Sequence, residues 1–69
     1  EHDVIVADHC HVATGAILNG KVSLGKGSFV GSGSVVREKV KIGNNCVISA
    51  NTFLRQRLAS GTIYFNKNG

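Results

Sequence analysis

Three histidines lie within the first eleven residues, and one of them, His2, is followed directly by Asp3. Histidine exchanges protons near neutral pH, and a neighbouring carboxylate stabilises its protonated form, which makes the imidazole a stronger base. His2 and Asp3 are therefore candidates for removing a proton from an amine or hydroxyl. If that amine or hydroxyl attacks a carbonyl carbon, negative charge develops on the carbonyl oxygen, and a hydrogen-bond donor is needed to stabilise it. Gly20 is a candidate, because a residue without a side chain lets a ligand reach its backbone N–H.

The other two histidines are less informative. His9 and His11 are separated by one residue, and no histidine follows them. This spacing does not fit a zinc site made of three histidines, so we expect no metal. We expect His9 at the surface. His11 is either a site residue or a residue packed between neighbouring chains.

The elements that must position these residues are visible as a repeat of six. Every sixth residue from Val6 is Leu, Ile or Val: Val6, Val12, Leu18, Leu24, Val30, Val36, Ile42, Ile48 and Leu54. The residue four positions after each is small or β-branched, with Leu58 as the exception. A period of six with two inward residues predicts one flat side of a three-sided coil, and three sides make a turn of about 18 residues.

Turns of 18 residues run over 6–23, 24–41 and 42–59, and residues 18 apart should stack about 4.8 Å apart. Gly15, Gly27, Gly33, Asn45 and Asn51 share one repeat position, where their tolerance of positive φ suits a sharp corner. Because Ser60 falls where an apolar residue is expected, the coil is assigned to residues 1–59 and a C-terminal tail to 60–69.

The two cysteines fall in one inward column. Cys10, Ser28 and Cys46 stack, so the cysteines are two turns apart, about 9.6 Å. A disulfide requires Cα atoms within about 7 Å, so we predict two free thiols acting as small core residues. Free thiols fit a reducing compartment, and we expect a cytoplasmic protein.

Length and composition limit the partners. A chain of 69 residues is one domain that gains stability from repeat stacking or association, and we predict a homotrimer. No apolar run is long enough for a membrane span, and no membrane partner is expected. A net charge of +4 with few aromatic residues argues against a nucleic-acid partner. Because the first residue is Glu1, we expect a processed or cut chain.

Basic residues align along one corner. Lys21, Lys39 and Arg57 are spaced by 18, with Arg37 and Arg55 beside them. Such a ridge suits a ligand that carries phosphate groups. A solvated edge that blocks unwanted strand pairing is an equally good interpretation.

Over residues 1–59 the pattern resembles the left-handed β-helix acyltransferases, an all-β fold of parallel hexapeptide coils. Glu1-His2-Asp3, the run from Asp8 to Ala16 and the run from Asn19 to Gly25 resemble one subgroup. That subgroup contains the sialic-acid O-acetyltransferases and bacterial nucleotide-sugar N-acetyltransferases.

The resemblance implies a role for each matching residue. His2 is the general base, and Asp3 raises its basicity. His11 contacts the acetyl end of acetyl-CoA, and Gly20 offers its N–H to the thioester oxygen. Ser32 and Ala50 line the coenzyme groove, as the 18-spaced small residues Thr14, Ser32 and Ala50 also suggest.

Two functions follow as hypotheses. The first is acetyl transfer from acetyl-CoA to an amine or hydroxyl of a sugar or nucleotide-sugar acceptor. The second is a non-catalytic trimeric β-helix module, or a fragment without activity. The second is kept because Thr62-Ile63-Tyr64-Phe65-Asn66 stands where the subgroup has a Gly-Val-Pro-Ala-Lys-like tail, and because the array is shorter than usual.

Overall fold

The computed structural model describes residues 3–66, and in this range every regular element is a two-residue β-strand. The strands are β1 (Ile5–Val6), β2 (His11–Val12), β3 (Ile17–Leu18), β4 (Ser23–Leu24), β5 (Phe29–Val30), β6 (Val35–Val36), β7 (Lys41–Ile42), β8 (Val47–Ile48), β9 (Phe53–Leu54) and β10 (Ile63–Tyr64). Within residues 3–66 no helix has the length and apolar character needed to cross a membrane.

The strands form three parallel sheets that the chain visits in turn. The first sheet contains β1, β4 and β7, the second β2, β5, β8 and β10, and the third β3, β6 and β9. Through β9, paired residues are 18 apart, as in Val6 with Leu24 and Leu24 with Ile42. The predicted fold is thus confirmed as an all-β parallel solenoid of about three turns.

The core is built from the two inward columns that the sequence predicted. From Leu24 to Leu54 every bulky apolar member of the six-residue repeat is buried. Val6 and Val12 are 48% and 38% exposed, because residues 3–66 place no further turn beneath them. Stacking of identical positions therefore supplies the burial that one turn lacks by itself.

Polar members of the small inward column are satisfied by the neighbouring turn. Ser28 Oγ donates to the carbonyl of Gly43 at 2.8 Å and accepts the N–H of Cys46 at 3.0 Å. Ser34 makes the equivalent pair of bonds with Ser49 and Thr52. Among residues 3–66 no buried side-chain nitrogen or oxygen lacks a partner. Cys10 and Cys46 form no disulfide with each other. Cys46 is buried in the core as predicted, whereas Cys10 in the first turn is only half-buried.

The corners adopt the positive φ that the Gly and Asn column predicted. Gly15, Gly27, Gly33, Asn45 and Asn51 have φ between 56° and 77°. Side chains that disfavour this region follow the same geometry, namely His9 (63°), Lys21 (62°) and Lys39 (66°). The six-residue repeat therefore dictates corner geometry even where the residue type opposes it.

Turns approach each other too closely for a side chain at some positions. A Cβ on Gly31 would lie 2.5 Å from the backbone nitrogen of Ala50 in the next turn. Contacts under 3.0 Å force a backbone shift, so glycine at this site is required by stacking.

The third turn is two residues shorter than predicted. Leu58 bridges Ile42, a separation of 16, so Leu58 rather than residue 60 takes the apolar position. Ile63–Tyr64 then pairs with Val47–Ile48 at the same separation of 16. Strand pairing thus continues into the segment assigned as a tail, and half-buried Tyr64 packs against the core. Three residues, 55–57, separate Leu54 from Leu58, whereas five separate Val36 from Ile42 in the preceding turn.

Candidate functional site

The corners divide the predicted site residues between different edges of the coil. We call residues 19–22, 37–40 and 55–57 the basic corner, which joins the third sheet to the first. We call residues 13–16, 31–34 and 49–52 the small-residue corner, which joins the second sheet to the third. Residues 7–10, 25–28 and 43–46 form the polar corner.

Gly20 belongs to the basic corner, and Asp3 continues the same corner in the turn below. Asp3 lies 18 residues before Lys21, is exposed, and has φ 60°, the geometry of the stacked corner positions above it. His2, the predicted base, lies outside the described residues. Its neighbour Asp3 nevertheless continues the corner column in register, one turn below Lys21.

The backbone N–H of Gly20 has no hydrogen-bond partner among residues 3–66. At the matching position of the polar corner, the N–H of Lys26 donates to Asn44 Oδ1 at 2.9 Å, and that of Asn44 to Ser60 Oγ at 2.9 Å. The residue above Gly20 is Glu38, and no bond joins the two. Gly20 is half-buried, and its carbonyl accepts from the N–H of Lys39 at 2.9 Å. Its N–H is therefore available to a carbonyl or anionic oxygen.

His11 lies on the outer surface of the second sheet, in β2. Its ring stacks on Phe29 of β5, with centroids 5.2 Å apart and an interplanar angle of 10°. The parallel register sets this contact, because His11 pairs with Phe29 across the two strands. The stack limits rotation of the imidazole while leaving the side chain exposed.

Ser32 and Ala50 stack at the small-residue corner, and both are exposed. Their backbone N–H groups also lack partners among residues 3–66. Ala50 lines a cavity of about 350 Å³ together with Ser49, Asn51, Phe65 and Asn66. The sequence prediction had placed Phe65 and Asn66 in a tail and missed them as lining residues. Only the shortened third turn brings them beside Ala50.

A larger cavity, of about 560 Å³, opens on the basic corner. It is lined by five cationic side chains, one carboxylate and one valine: Arg37, Glu38, Lys39, Val40, Lys41, Arg55 and Arg57. Glu38 approaches Arg37 at 3.7 Å in an exposed ion pair, which is worth little in water. We call this cavity the basic groove. Four cations of the predicted ridge line this groove, whereas Lys21 does not, and Lys41 enters from the first sheet. The predicted stack of Lys21, Lys39 and Arg57 is wrong at Arg57, because the shortened third turn places Arg57 above Lys41 rather than above Lys39.

One chain does not bring all the predicted site residues together. Gly20 and Asp3 lie at the basic corner, Ser32 and Ala50 at the small-residue corner, and His11 on the second sheet. The two corners are separated by a six-residue side of the coil, up to about 20 Å of extended chain. The predicted site residues within 3–66 are therefore divided between two corners and one sheet of the coil.

No group of three or more His, Cys, Asp or Glu residues within residues 3–66 is arranged to hold a metal ion. His9 is exposed on the polar corner, away from His11 on the sheet. The arrangement therefore offers hydrogen-bond donors and cationic side chains, which suit carbonyl and phosphate oxygens.

Fold and repeat together define a class, the parallel β-solenoids made of six-residue repeats. Residues 21–56, just over half of the chain, match the family described as bacterial transferase hexapeptide (six repeats). The chain belongs to this hexapeptide-repeat family, whose members are typically acyltransferases. A search of curated proteins found no match.

Proposed function

We propose that the protein is an acetyl-CoA-dependent acyltransferase that acetylates an amine or hydroxyl of a sugar-like acceptor. The observation that carries the proposal is the N–H of Gly20, which has no partner among residues 3–66 and belongs to the basic corner, 18 residues after the predicted base in the sequence. Membership in the hexapeptide-repeat family supports the same reaction class. The sialic-acid and nucleotide-sugar subgroup is the finer assignment that we propose.

His2 takes the proton from the acceptor's amine or hydroxyl as that atom attacks the thioester carbonyl. Negative charge then develops on the carbonyl oxygen, and the Gly20 N–H donates to it. The C–S bond breaks, the acetyl group stays on the acceptor, and the coenzyme leaves as its thiol with the proton from His2. Asp3 favours the protonated imidazole during this exchange.

The coenzyme contacts extend the same proposal. His11, held by its stack on Phe29, contacts the acetyl end, and Ser32 and Ala50 contact the coenzyme through their exposed corner. The cavity beside Ala50 and Phe65 offers an apolar lining for part of that ligand. Since these groups lie on different sides of one chain, neighbouring copies must combine them.

We therefore propose a left-handed coil that assembles as a homotrimer. Outward side chains are apolar on the second sheet (Phe29, Val47 and Ile63) and on the third (Ile17, Val35 and Phe53). The first sheet instead carries Ser23 and Lys41. The second and third sheets meet at the small-residue corner, which carries no charged residue. This arrangement suits an assembly in which the second sheet of one copy packs near the third sheet of the next. The free thiols fit the proposed cytoplasmic location.

The reaction is tested by thiol release from acetyl-CoA with a panel of amino and hydroxyl sugars, alongside calorimetric titration of acetyl-CoA. We expect His2→Ala to reduce turnover at least about 100-fold, within the range for loss of a general base. His9→Asn is the matched control and should retain turnover, because His9 lies on the polar corner. Equal turnover of His2→Ala and the unaltered chain would exclude His2 as the base.

The competing function is a non-catalytic trimeric module. Its support is that, among residues 3–66, the predicted site residues are divided between two corners and one sheet of the coil. A folded trimer that binds no acetyl-CoA at millimolar concentration would favour this alternative over the acyltransferase.

A further inference from the structure

We propose that Asn19 and Gly20 form a site of spontaneous covalent modification, at which the Asn19 side-chain amide is lost through a cyclic imide and replaced by aspartate or isoaspartate. The site is defined by the sequence Asn19-Gly20 and by the hydrogen-bonding state of the Gly20 N–H. The modification itself does not depend on the proposed function, whereas its effect on turnover does.

The reaction requires only these two residues and water. The backbone nitrogen of Gly20 loses its proton to hydroxide and attacks the side-chain carbonyl carbon, Cγ, of Asn19. A bond forms between this nitrogen and Cγ, the bond from Cγ to Nδ2 breaks, and Nδ2 leaves as ammonia with a proton from water, which regenerates hydroxide. Water then opens the five-membered imide at either carbonyl, giving aspartate or isoaspartate without oxidation or reduction.

The attacking nitrogen carries an N–H that has no acceptor among residues 3–66. Gly20 is half-buried, so part of the residue is open to solvent. It also lacks a Cβ that would crowd the approach to the Asn19 side chain. A hydrogen-bonded N–H, in contrast, has to give up its acceptor before the nitrogen can attack. The fold therefore leaves this nitrogen ready to react.

Three other described asparagines provide the contrast, because each is followed by an N–H that donates a hydrogen bond. The N–H after Asn44 belongs to Asn45 and donates to the carbonyl of Lys26 at 2.8 Å. The N–H groups that follow Asn45 and Asn51 donate to serine hydroxyls of the turn below, at 3.0 and 3.1 Å. Of these four asparagines, Asn19 alone precedes a glycine and an N–H without a partner among residues 3–66.

The side-chain amides of Asn19 and Asn44 are restrained to a similar degree. Nδ2 of Asn19 donates to the carbonyl of Val36 at 3.0 Å, an oxygen that also accepts the backbone N–H of Asn19 at 3.1 Å. Oδ1 of Asn44 accepts the N–H of Lys26 at 2.9 Å. The difference between the two asparagines therefore lies in the N–H that follows each of them.

Modification would change the basic corner in charge and in backbone length. Either product adds a carboxylate close in sequence to the exposed Lys21, and isoaspartate also lengthens the main chain by one methylene group. The added length displaces the Gly20 N–H relative to the turn above, where Lys39 donates to the Gly20 carbonyl at 2.9 Å. Thiol release from acetyl-CoA should therefore fall as isoaspartate accumulates.

The test follows the folded protein during incubation at mildly alkaline pH, with tryptic digestion and mass spectrometry at intervals. Trypsin releases fragment 1–21, whose one asparagine is Asn19, and fragment 42–55, which contains the three contrast asparagines. Chromatography separates the aspartyl and isoaspartyl forms of each fragment. The second Asn-Gly pair of the sequence, at 68–69, falls in another fragment and lies outside the described residues.

Two variants separate the effect of structure from that of sequence. Asn45→Gly is the matched control, because it makes an Asn-Gly pair at 44–45 whose N–H is engaged by the Lys26 carbonyl. Position 45 has φ 56°, which glycine accepts. Gly20→Ala keeps the N–H but adds a Cβ beside the attacking nitrogen, and Gly20 has no positive φ that would oppose alanine. Circular dichroism verifies that both variants fold.

We expect Asn19 to convert at least about tenfold faster than Asn44 in the unaltered chain and in Asn45→Gly, because the N–H after Asn44 is hydrogen-bonded. Gly20→Ala should slow conversion of Asn19 by about tenfold or more. Equal conversion of the two Asn-Gly pairs in Asn45→Gly would overturn the proposal, since sequence alone would then set the rate.

Conversion of Asn19 in urea but not in the folded protein would also overturn the proposal, because the fold would then protect the site. Conversion in the folded protein with parallel loss of thiol release would support both the site and its effect on the proposed reaction. Conversion with unchanged thiol release would support the modification site and reject only Gly20 as the hydrogen-bond donor of that reaction.

Discussion

At the scale of single residues, the inward serines do more than fill space. Ser28 Oγ bonds Gly43 and Cys46 in the next turn and is almost fully buried. Replacing it with alanine would leave the buried N–H of Cys46 and the half-buried carbonyl of Gly43 without these partners. Such orphaned groups cost about 1–3 kcal/mol.

Ser28→Ala should therefore lower the free energy of unfolding by about 1–3 kcal/mol. The measurement is urea denaturation at one fixed protein concentration, because chain association would contribute to stability. Ser23→Ala, on the outer surface of the first sheet, is the control and should change stability by less than about 0.5 kcal/mol. Equal effects of the two substitutions would contradict the bonding role of Ser28.

At the scale of the repeat element, the corner imposes a backbone conformation on unsuitable residues. His9 has φ 63°, whereas Asn45 and Asn51 occupy the same repeat position at 56°. A left-handed conformation costs most side chains about 1–2 kcal/mol, and asparagine less.

His9→Asn should stabilise the chain by about 0.5–1 kcal/mol in the same denaturation experiment. Asp8→Asn serves as the control, because Asp8 is exposed on the same corner and has no positive φ to relieve. A loss of stability in His9→Asn would show that the His9 side chain contributes contacts that outweigh the backbone strain.

At the scale of the whole molecule, the outer surface is divided into apolar and charged parts. Val47 and Phe53 are 39% and 58% exposed on the second and third sheets, and the basic corner lies on the far edge of the third. Exposed apolar surface of this kind is typical of an interface between chains.

Val47→Glu should dissociate the proposed trimer, because it places a charge within the apolar surface. Sedimentation at micromolar concentration is expected to give about 22 kDa for the unaltered chain and about 7 kDa for the variant, from a chain mass of 7.3 kDa. Ser23→Glu on the first sheet is the control and should stay trimeric. A mass near 7 kDa for the unaltered chain would rule the trimer out.

The sequence by itself determined the repeat, the inward columns and the positive-φ corners. These follow from local rules, because a six-residue period admits one arrangement of inward and corner residues, and stacking reproduces it at every turn. It also determined that Cys10 and Cys46 cannot form a disulfide, because two turns of the coil separate them within their column. His2, Asp3, His11, Gly20, Ser32 and Ala50 were nominated by resemblance and stay predictions.

The tertiary structure decided what depends on neighbouring turns. The third turn is shortened, with Leu58 in the core two residues early. A fixed period of six does not predict such a deletion. That change brings Phe65 beside Ala50. Within residues 3–66, the lack of a partner for the Gly20 N–H and the entry of Lys41 into the basic groove likewise depend on which side chain the adjacent turn presents. A linear pattern fixes position within a turn, whereas hydrogen bonds and cavities form between turns and require the three-dimensional register.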